Sequence, residues 1–378
     1  MTKRNSGRVM KKMRKLQAIL FFAILQLGSL TLFAQERIDF YRGIRYLGMG
    51  GSSVAVANDE TALIVNPAAL GRLRDFYGTI IDPELEANKG ASDIYSTKAF
   101  TQPFRLAEVI PAVVLSPQTF FHTRGHVMPS FVAKNFGIAL LANRILNAES
   151  NAAGTAVNTF YRDDLALLLG YNLRFFEGRV KIGFTGKAIS RIEVNQPALD
   201  PLSNLEIAPM ATAGTAAEGL GIGADAALIL AGPWTYIPTI TAVVRDVGGT
   251  TFDKSYNNRL STSTVRPAAQ AQDIDLGIAV FPIHTNSIRS AWSFEYRNLS
   301  SGATEPDKSK LIHAGVEVNF NDVFFVRAGM NQRYWTAGLE LASEKFQLQF
   351  ASYGEEIGSS STIMREDRRY VTKISFRF

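Results

Sequence analysis

The chain ends in Arg369-Tyr370-Val371-Thr372-Lys373-Ile374-Ser375-Phe376-Arg377-Phe378. In an extended strand Tyr370, Thr372, Ile374, Phe376 and Phe378 point one way, and the charged or small residues point the other. The same period of two runs through Ser287–Arg297, where Ile288, Ser290, Trp292, Phe294 and Tyr296 oppose Arg289, Ala291, Ser293, Glu295 and Arg297. It recurs in Leu311–Phe320 and around Val180–Phe184. From about residue 125 the chain therefore reads as all-β.

Working outward, the N-terminus explains the charge. The 378 residues carry 40 Lys plus Arg against 34 Asp plus Glu, a net +6. Seven of those cations lie between Lys3 and Lys15, before the first acid at Glu36. An apolar run from Leu16 to Phe33 follows and ends at Ala34-Gln35. Basic start, apolar middle and small residue at the end predict a signal peptide over 1–34, cut after Ala34. Without it the balance is 33 cations to 34 acids, which leaves no basic patch for nucleic acid. With no cysteine, the chain holds no disulfide, no thiolate zinc site and no Cys nucleophile. The segment Ala226–Val244 is uncharged, but Pro233 and Pro238 break it as a helix, so it reads as two strands joined by a turn.

An exported, strand-rich chain can be a soluble sandwich or a transmembrane barrel. Aromatic residues collect near strand ends, at Tyr171, Phe175, Phe176, Trp234, Tyr236, Phe320, Phe324, Tyr334, Trp335 and Phe378. Aromatic girdles, an outward apolar face and a polar lumen are marks of a membrane barrel. The alternation gives about 14 strands over 75–378, with connections that are by turns short and long. Long loops are expected at 84–125 and 195–218, and no connection is visible near Arg333-Tyr334. Barrel-assembly machinery and outer-membrane lipid are the partners such a barrel requires.

Residues 35–74 do not alternate. They include Gly48, Gly50, Gly51, Asp59, Asn66, Pro67 and Ala68. A barrel of about 14 strands is too wide to be filled by its own side chains, so a compact small-residue segment is expected in its lumen. The Asn66-Pro67 pair is a turn former, through the Asn side chain and the fixed φ of proline.

These residues resemble the N-terminal hatch of FadL-type outer-membrane transporters: glycines, an acidic residue, then Asn-Pro-Ala. The resemblance implies a 14-stranded antiparallel barrel with a lumenal plug that passively takes up small hydrophobic molecules of the long-chain fatty-acid type. The similar PorV and PorQ branch implies the alternative, an accessory barrel serving a secretion-system protein. A structural barrel is the third reading.

Other patterns carry less. Gly48-Met49-Gly50-Gly51-Ser52-Ser53 lacks the third glycine of a dinucleotide loop. His122 and His126 read as exposed loop residues, and His313 as lumen-facing beside Glu317. No metal site, cofactor motif or nucleophile emerges, so an enzyme is not expected. The lumen-side charges run from Lys181, Lys187 and Arg191 to Arg369, Lys373 and Arg377, in mixed sign, which suits ion pairs between wall and plug better than a charge-selective pore. Finally, Phe100, Phe104, Val113, Leu115, Phe120 and Phe121 make the 84–125 connection too apolar for open water, and suggest an apolar groove on the outside.

Overall fold

The computed structural model describes residues 36–74, 76–93, 102–199, 216–254, 259, 265–358 and 363–378. The expected signal peptide and Phe100 lie outside the described residues. Sixteen strand segments form one antiparallel sheet. They are β1 (Tyr77–Ile81), β2 (Glu84–Asn88), β3 (Phe120–Val127), β4 (Ser130–Ala133), β5 (Phe136–Ser150), β6 (Val157–Phe175), β7 (Val180–Leu199) and β8 (Ala217–Ala231). The second half comprises β9 (Thr239–Arg245), β10 (Asp273–Val280), β11 (Ile288–Tyr296), β12 (Ile312–Phe320), β13 (Phe324–Asn331), β14 (Tyr334–Ala342), β15 (Phe346–Glu356) and β16 (Glu366–Arg377).

Two pairs of segments are single strands with a break. Both β1 and β2 pair with β16, and both β3 and β4 pair with β5. The breaks fall at Asp82-Pro83 and Met128-Pro129, where a proline cannot donate to the ladder. Counting each pair once gives a closed barrel of 14 strands. The ring closes where Thr79 pairs with Arg377. Closure leaves no free edge, so backbone polar groups are paired within the wall, as a hydrocarbon surrounding demands.

The two faces of the wall separate by parity. Along β6, Leu165, Leu167, Leu169, Tyr171 and Leu173 point out and are exposed, whereas Ala166, Leu168 and Asn172 point in and are buried. Short turns gather at one end of the barrel, and several use a residue in the left-handed region: Asn135 (φ 75°), Asn321 (φ 55°) and Asp322 (φ 58°). Asn and Asp tolerate that region better than other side chains.

Three expectations change. The 84–125 connection is not a loop. It contains β2, two helices, α3 (Lys89–Asp93) and α4 (Leu106–Val114), and β3. His122 and His126 are therefore wall residues, both buried. A two-residue turn at Gln332-Arg333, at the long-loop end, separates β13 from β14.

The last residue closes the wall. The Phe378 N–H donates to Gly78 O at 3.1 Å, and its ring meets Phe76 at 6.5 Å between centroids. Gly78 has no side chain there because the Phe378 ring occupies the space. Deleting Phe378 is expected to remove this seal and slow assembly, read as a several-fold loss of the heat-modifiable folded band on cold gels. Wild-type folded yield from the truncated chain would show that closure does not depend on it.

Candidate functional site

Residues 36–73 descend through the barrel from the long-loop end to the short-turn end, where β1 begins. At the top, Glu36 is ion-paired with Arg369 (2.5 Å) and accepts from Asn147 (3.0 Å). Lower down, Arg42 pairs with Glu355 at 2.7 Å. Arg45, in the short helix α1 (Ile44–Gly48), holds Glu317 through two nitrogens at 2.7 and 2.9 Å and also pairs with Asp59 at 2.7 Å. Burial pushes the Asp59 carboxyl up, but the Arg45 guanidinium and the Thr61 hydroxyl outweigh it and bring it down to about 2. At the bottom, Arg377 pairs with Glu60 at 2.6 Å. Each of these wall partners is an inward-facing strand residue.

The wall charges are also paired among themselves. Arg191 grips Asp164 with two hydrogen bonds, at 2.6 and 2.8 Å, and both side chains are fully buried. Lys187 bridges Asp225 and Asp246 at 2.7 and 2.8 Å. Arg327 joins Glu317 (2.6 Å) to Glu340. Arg289 differs from the rest of the set: it sits at the short-turn rim, exposed, 3.7 Å from Asp322. His313 lies beside Gly50, its Nδ1 2.9 Å from the Gly50 carbonyl oxygen. His122 touches Glu86 (2.8 Å) and Asn147 (2.6 Å).

Where charge does not hold the segment, glycine does. Met49 and Gly50 run directly over Gly315 and Gly329, with no room for a side chain on either wall residue. Gly48 lies on Gly338, Val54 on Gly277, and Pro67-Ala68 on Gly183. Gly50 (φ 69°) and Gly51 (φ 81°) take the left-handed turn that brings the backbone onto this surface. Glu295, fully buried, accepts from the Ser53 and Val54 N–H groups at 2.5 and 2.9 Å. The sequence reading missed these wall glycines; their alternation with outward apolar residues was the available signal.

Asn66 is fully buried. Its Oδ1 accepts from the Ala68 N–H at 3.0 Å, and its Nδ2 donates to Val54 O (2.6 Å) and Thr241 Oγ1 (3.1 Å). Pro67 opens a six-residue 3-10 turn, with helix α2 (Ala62–Val65) just before it. Pro67 and Ala68 are buried against β7.

A cavity of about 440 Å³ lies at the long-loop end, between the start of the segment and β8–β11. Phe40, Tyr41, Leu47 and Val65 give it apolar walls, while Arg37, Asp39, Arg245 and Arg297 line it with charge of both signs. Of these charges Arg297 was read as lumen-facing from the sequence; Arg37, Asp39 and Arg245, and the aromatic residues 40–41, were singled out by no pattern.

The apolar candidates of 100–121 lie elsewhere. Leu146, Tyr161, Ile192 and Val194 have the parity of the outward face, yet all are buried. Helix α4 covers them, and with Val113 and Phe121 they make one apolar cluster, with Phe104 packed at its edge. Phe120 is half-buried, and Leu115, just past the helix, is 82% exposed. These residues thus sit on the outside of the extended strands, away from the 440 Å³ cavity.

No protein-family model matches the chain, and no curated protein matches it. Solved structures do. The CymD monoaromatic hydrocarbon channel aligns over 89% of this chain and 96% of its own, at TM-score 0.52 and 13% identity. A TodX monoaromatic hydrocarbon channel mutant aligns over 89% and 98%, at TM-score 0.53 and 12% identity. A FadL homologue of Pseudomonas aeruginosa covers 91% of this chain and 99% of its own, with TM-score 0.49 and 10% identity. At such identities the likeness to the two channels above a TM-score of 0.5 concerns architecture alone, and the near-complete coverage of both chains agrees with the overall length. The chain therefore shares the closed β-barrel fold of these hydrocarbon channels.

Proposed function

We propose that the protein is a non-enzymatic outer-membrane channel for passive uptake of small hydrophobic molecules bearing a polar group. The observation that carries this reading is the 440 Å³ cavity, where aromatic and aliphatic side chains stand beside charges of both signs. An apolar body and a polar end would each find a surface there, as in most small-molecule sites. The barrel fold, which it shares with hydrocarbon channels, supports the reading. Residues 35–74 act in it as the plug, and the 75–378 barrel as its frame. Gly48, Gly50, Gly51, Asp59, Asn66, Pro67 and Ala68 set the plug against the wall. A long-chain fatty acid is one member of the substrate class.

The test is uptake of a fluorescent aromatic acid by cells making the protein at equal surface levels. Wild type should raise the initial rate several-fold over cells with an empty vector. Asn66→Ala takes a partner from the Val54 carbonyl and the Ala68 N–H, while Thr241 Oγ1 keeps its bond to Leu228 O, at a cost of about 1–3 kcal/mol to the plug. It should alter that rate and let small polar antibiotics leak, while the barrel stays folded. Uptake equal to the vector control for both proteins would end the channel reading.

An accessory role in protein secretion draws on a different feature, the exposed Leu115 beside the apolar cluster under α4. Under that reading uptake stays at control level, and Leu115→Asp abolishes secretion of a client protein.

A further inference from the structure

The plug is not seated alike all the way round. Its closest glycine seats are Gly183 on β7, Gly315 on β12, Gly329 on β13 and Gly338 on β14, where backbone touches backbone, with Gly170 on β6 and Gly277 on β10 against the side chains of Leu63 and of Val54 and Ala55. On the same side Thr185 Oγ1 donates to Leu63 O at 2.7 Å, and Asn172 Nδ2 to Ala68 O at 3.1 Å. The arc from β15 through β16 and β1–β4 is different. Among the described residues, no glycine of this arc meets the plug. Its apolar contacts with the plug are those of Ala351, Tyr353 and Val371 on Ile44 and Leu47, and of Tyr77, Met128 and Val132 with the central cluster; most of the remaining inward side chains are polar.

Six residues, on this arc, on the adjacent β5 and on the plug itself, carry polar atoms in contradiction with their surroundings. The Tyr41 hydroxyl, both ring nitrogens of His126, Asn143 Oδ1, Thr79 Oγ1, Ser130 Oγ and Ser375 Oγ are buried without a hydrogen-bond partner in the protein. Their residues form a column. The Tyr41 and His126 rings meet at 5.1 Å, and His126 is in register with Asn143. Below them Thr79 is in register with Ser130 on one side and Arg377 on the other. Ser375 lies between Lys373 and Arg377 on the inward face of β16. The column spans the height from the cavity wall at Tyr41 to the short-turn end. It also passes the two strand breaks at Pro83 and Pro129, which interrupt neighbouring strands at one level. Buried polar groups without a protein partner are satisfied by ordered water.

We infer that this column is a hydrated seam: a file of water, admitting small polar solutes of similar size, that links the cavity to the short-turn end along the β16–β1–β4 side of the plug. It deepens the channel reading by giving the polar end of a substrate, and the water it displaces, a route past the plug. The chemistry that recognises it is hydrogen bonding to neutral donors and acceptors, with the nearby charges already engaged: Asp82 with Lys373 at 2.9 Å, and Glu60 with Arg377 at 2.6 Å.

Two methionines test this in the unmutated protein. Met128 and Met49 are equally buried, both at 0% exposure. Met128 stands in the column, between His126 and Ser130 on the inward face; Met49 lies on the glycine seats. Hydroxyl radicals generated from water by an X-ray pulse act beside bound water, so Met128 should be oxidised at least about tenfold faster than Met49. Equal rates overturn the seam. The cysteine-free sequence permits a second measurement. Ser130→Cys and Ser375→Cys should react with a small cationic methanethiosulfonate at least about tenfold faster than Thr185→Cys, because thiol labelling follows access. Rates no higher than that of Thr185→Cys overturn it as well. Neither readout uses a hydrophobic probe, so uptake can fail while the seam stands, or the reverse.

Discussion

Gly183→Ala combined with Gly315→Ala is expected to lift the plug off the wall while leaving the barrel closed. A methyl group on Gly183 would collide with the Pro67 carbonyl and the Ala68 nitrogen, and one on Gly315 with the Met49 carbonyl. These are backbone atoms, so no rotamer change relieves the clash. Over-filling a packed core costs about 1–3 kcal/mol per site, which for two sites far apart in the lumen is enough to reverse docking of a marginal segment. The wall itself loses nothing, because both glycines keep their ladder partners, Asn172 and Ala227 for Gly183, Ser293 and Gly329 for Gly315. The double variant should therefore keep its heat-modifiable mobility on cold gels. Trypsin should cut it after Arg45 or Arg72 at least about tenfold faster than wild type, the factor that 1.4 kcal/mol provides. Wild-type resistance together with wild-type antibiotic exclusion would show that the segment is not held by these seats.

A second large effect is expected at Asp164 and Arg191. This pair spans β6 and β7, is bidentate, and is wholly shielded from water. Arg191 also lies over the Phe252 ring at 4.5 Å. Arg191→Met keeps most of the side-chain volume but strands the Asp164 carboxylate. Breaking a buried pair from one side costs about 3–5 kcal/mol, whereas replacing both partners with apolar groups is often neutral. Unfolding in urea from detergent micelles should show a large fall in midpoint for Arg191→Met. Asp164→Leu with Arg191→Met should recover most of it. Equal destabilisation by the single and double variants would mean that the pair contributes by packing alone.

The sequence shows the barrel clearly where the two faces differ in chemistry. Strand β16 alternates Tyr370, Ile374 and Phe376 outward with Arg369, Lys373 and Arg377 inward, and its partner β15 does likewise with Phe346, Leu348 and Phe350. It hides β2 and β3. Glu84, Glu86 and Asn88 face inward, but the outward side of β2 offers just Leu85 and the small Ala87. In β3 the inward set is His122, Arg124 and His126, and Phe121 on the other face is covered by helix α4 rather than by lipid. With charge on one side, a mixed residue set on the other and a proline at each break, the period fades. The site was legible only in part. The small, turn-forming residues of 48–68 identify a compact segment, but a wall glycine such as Gly315 has no meaning until the residue facing it is known. The same holds for the ion pairs, because Glu36 and Arg369 are 333 positions apart.

Those separations bear on the order of assembly. The segment 36–73 precedes every strand of the wall in the chain, yet its docking partners are spread over much of the barrel: Thr241, Glu295, Glu317, Glu355 and Arg377. Contacts between remote parts of a chain form late, since loop-closure entropy must be met before they contribute. A segment made before the wall is thus the last to find its place, and it must wait inside or beneath a ring of strands that is completed only when Phe378 reaches Gly78.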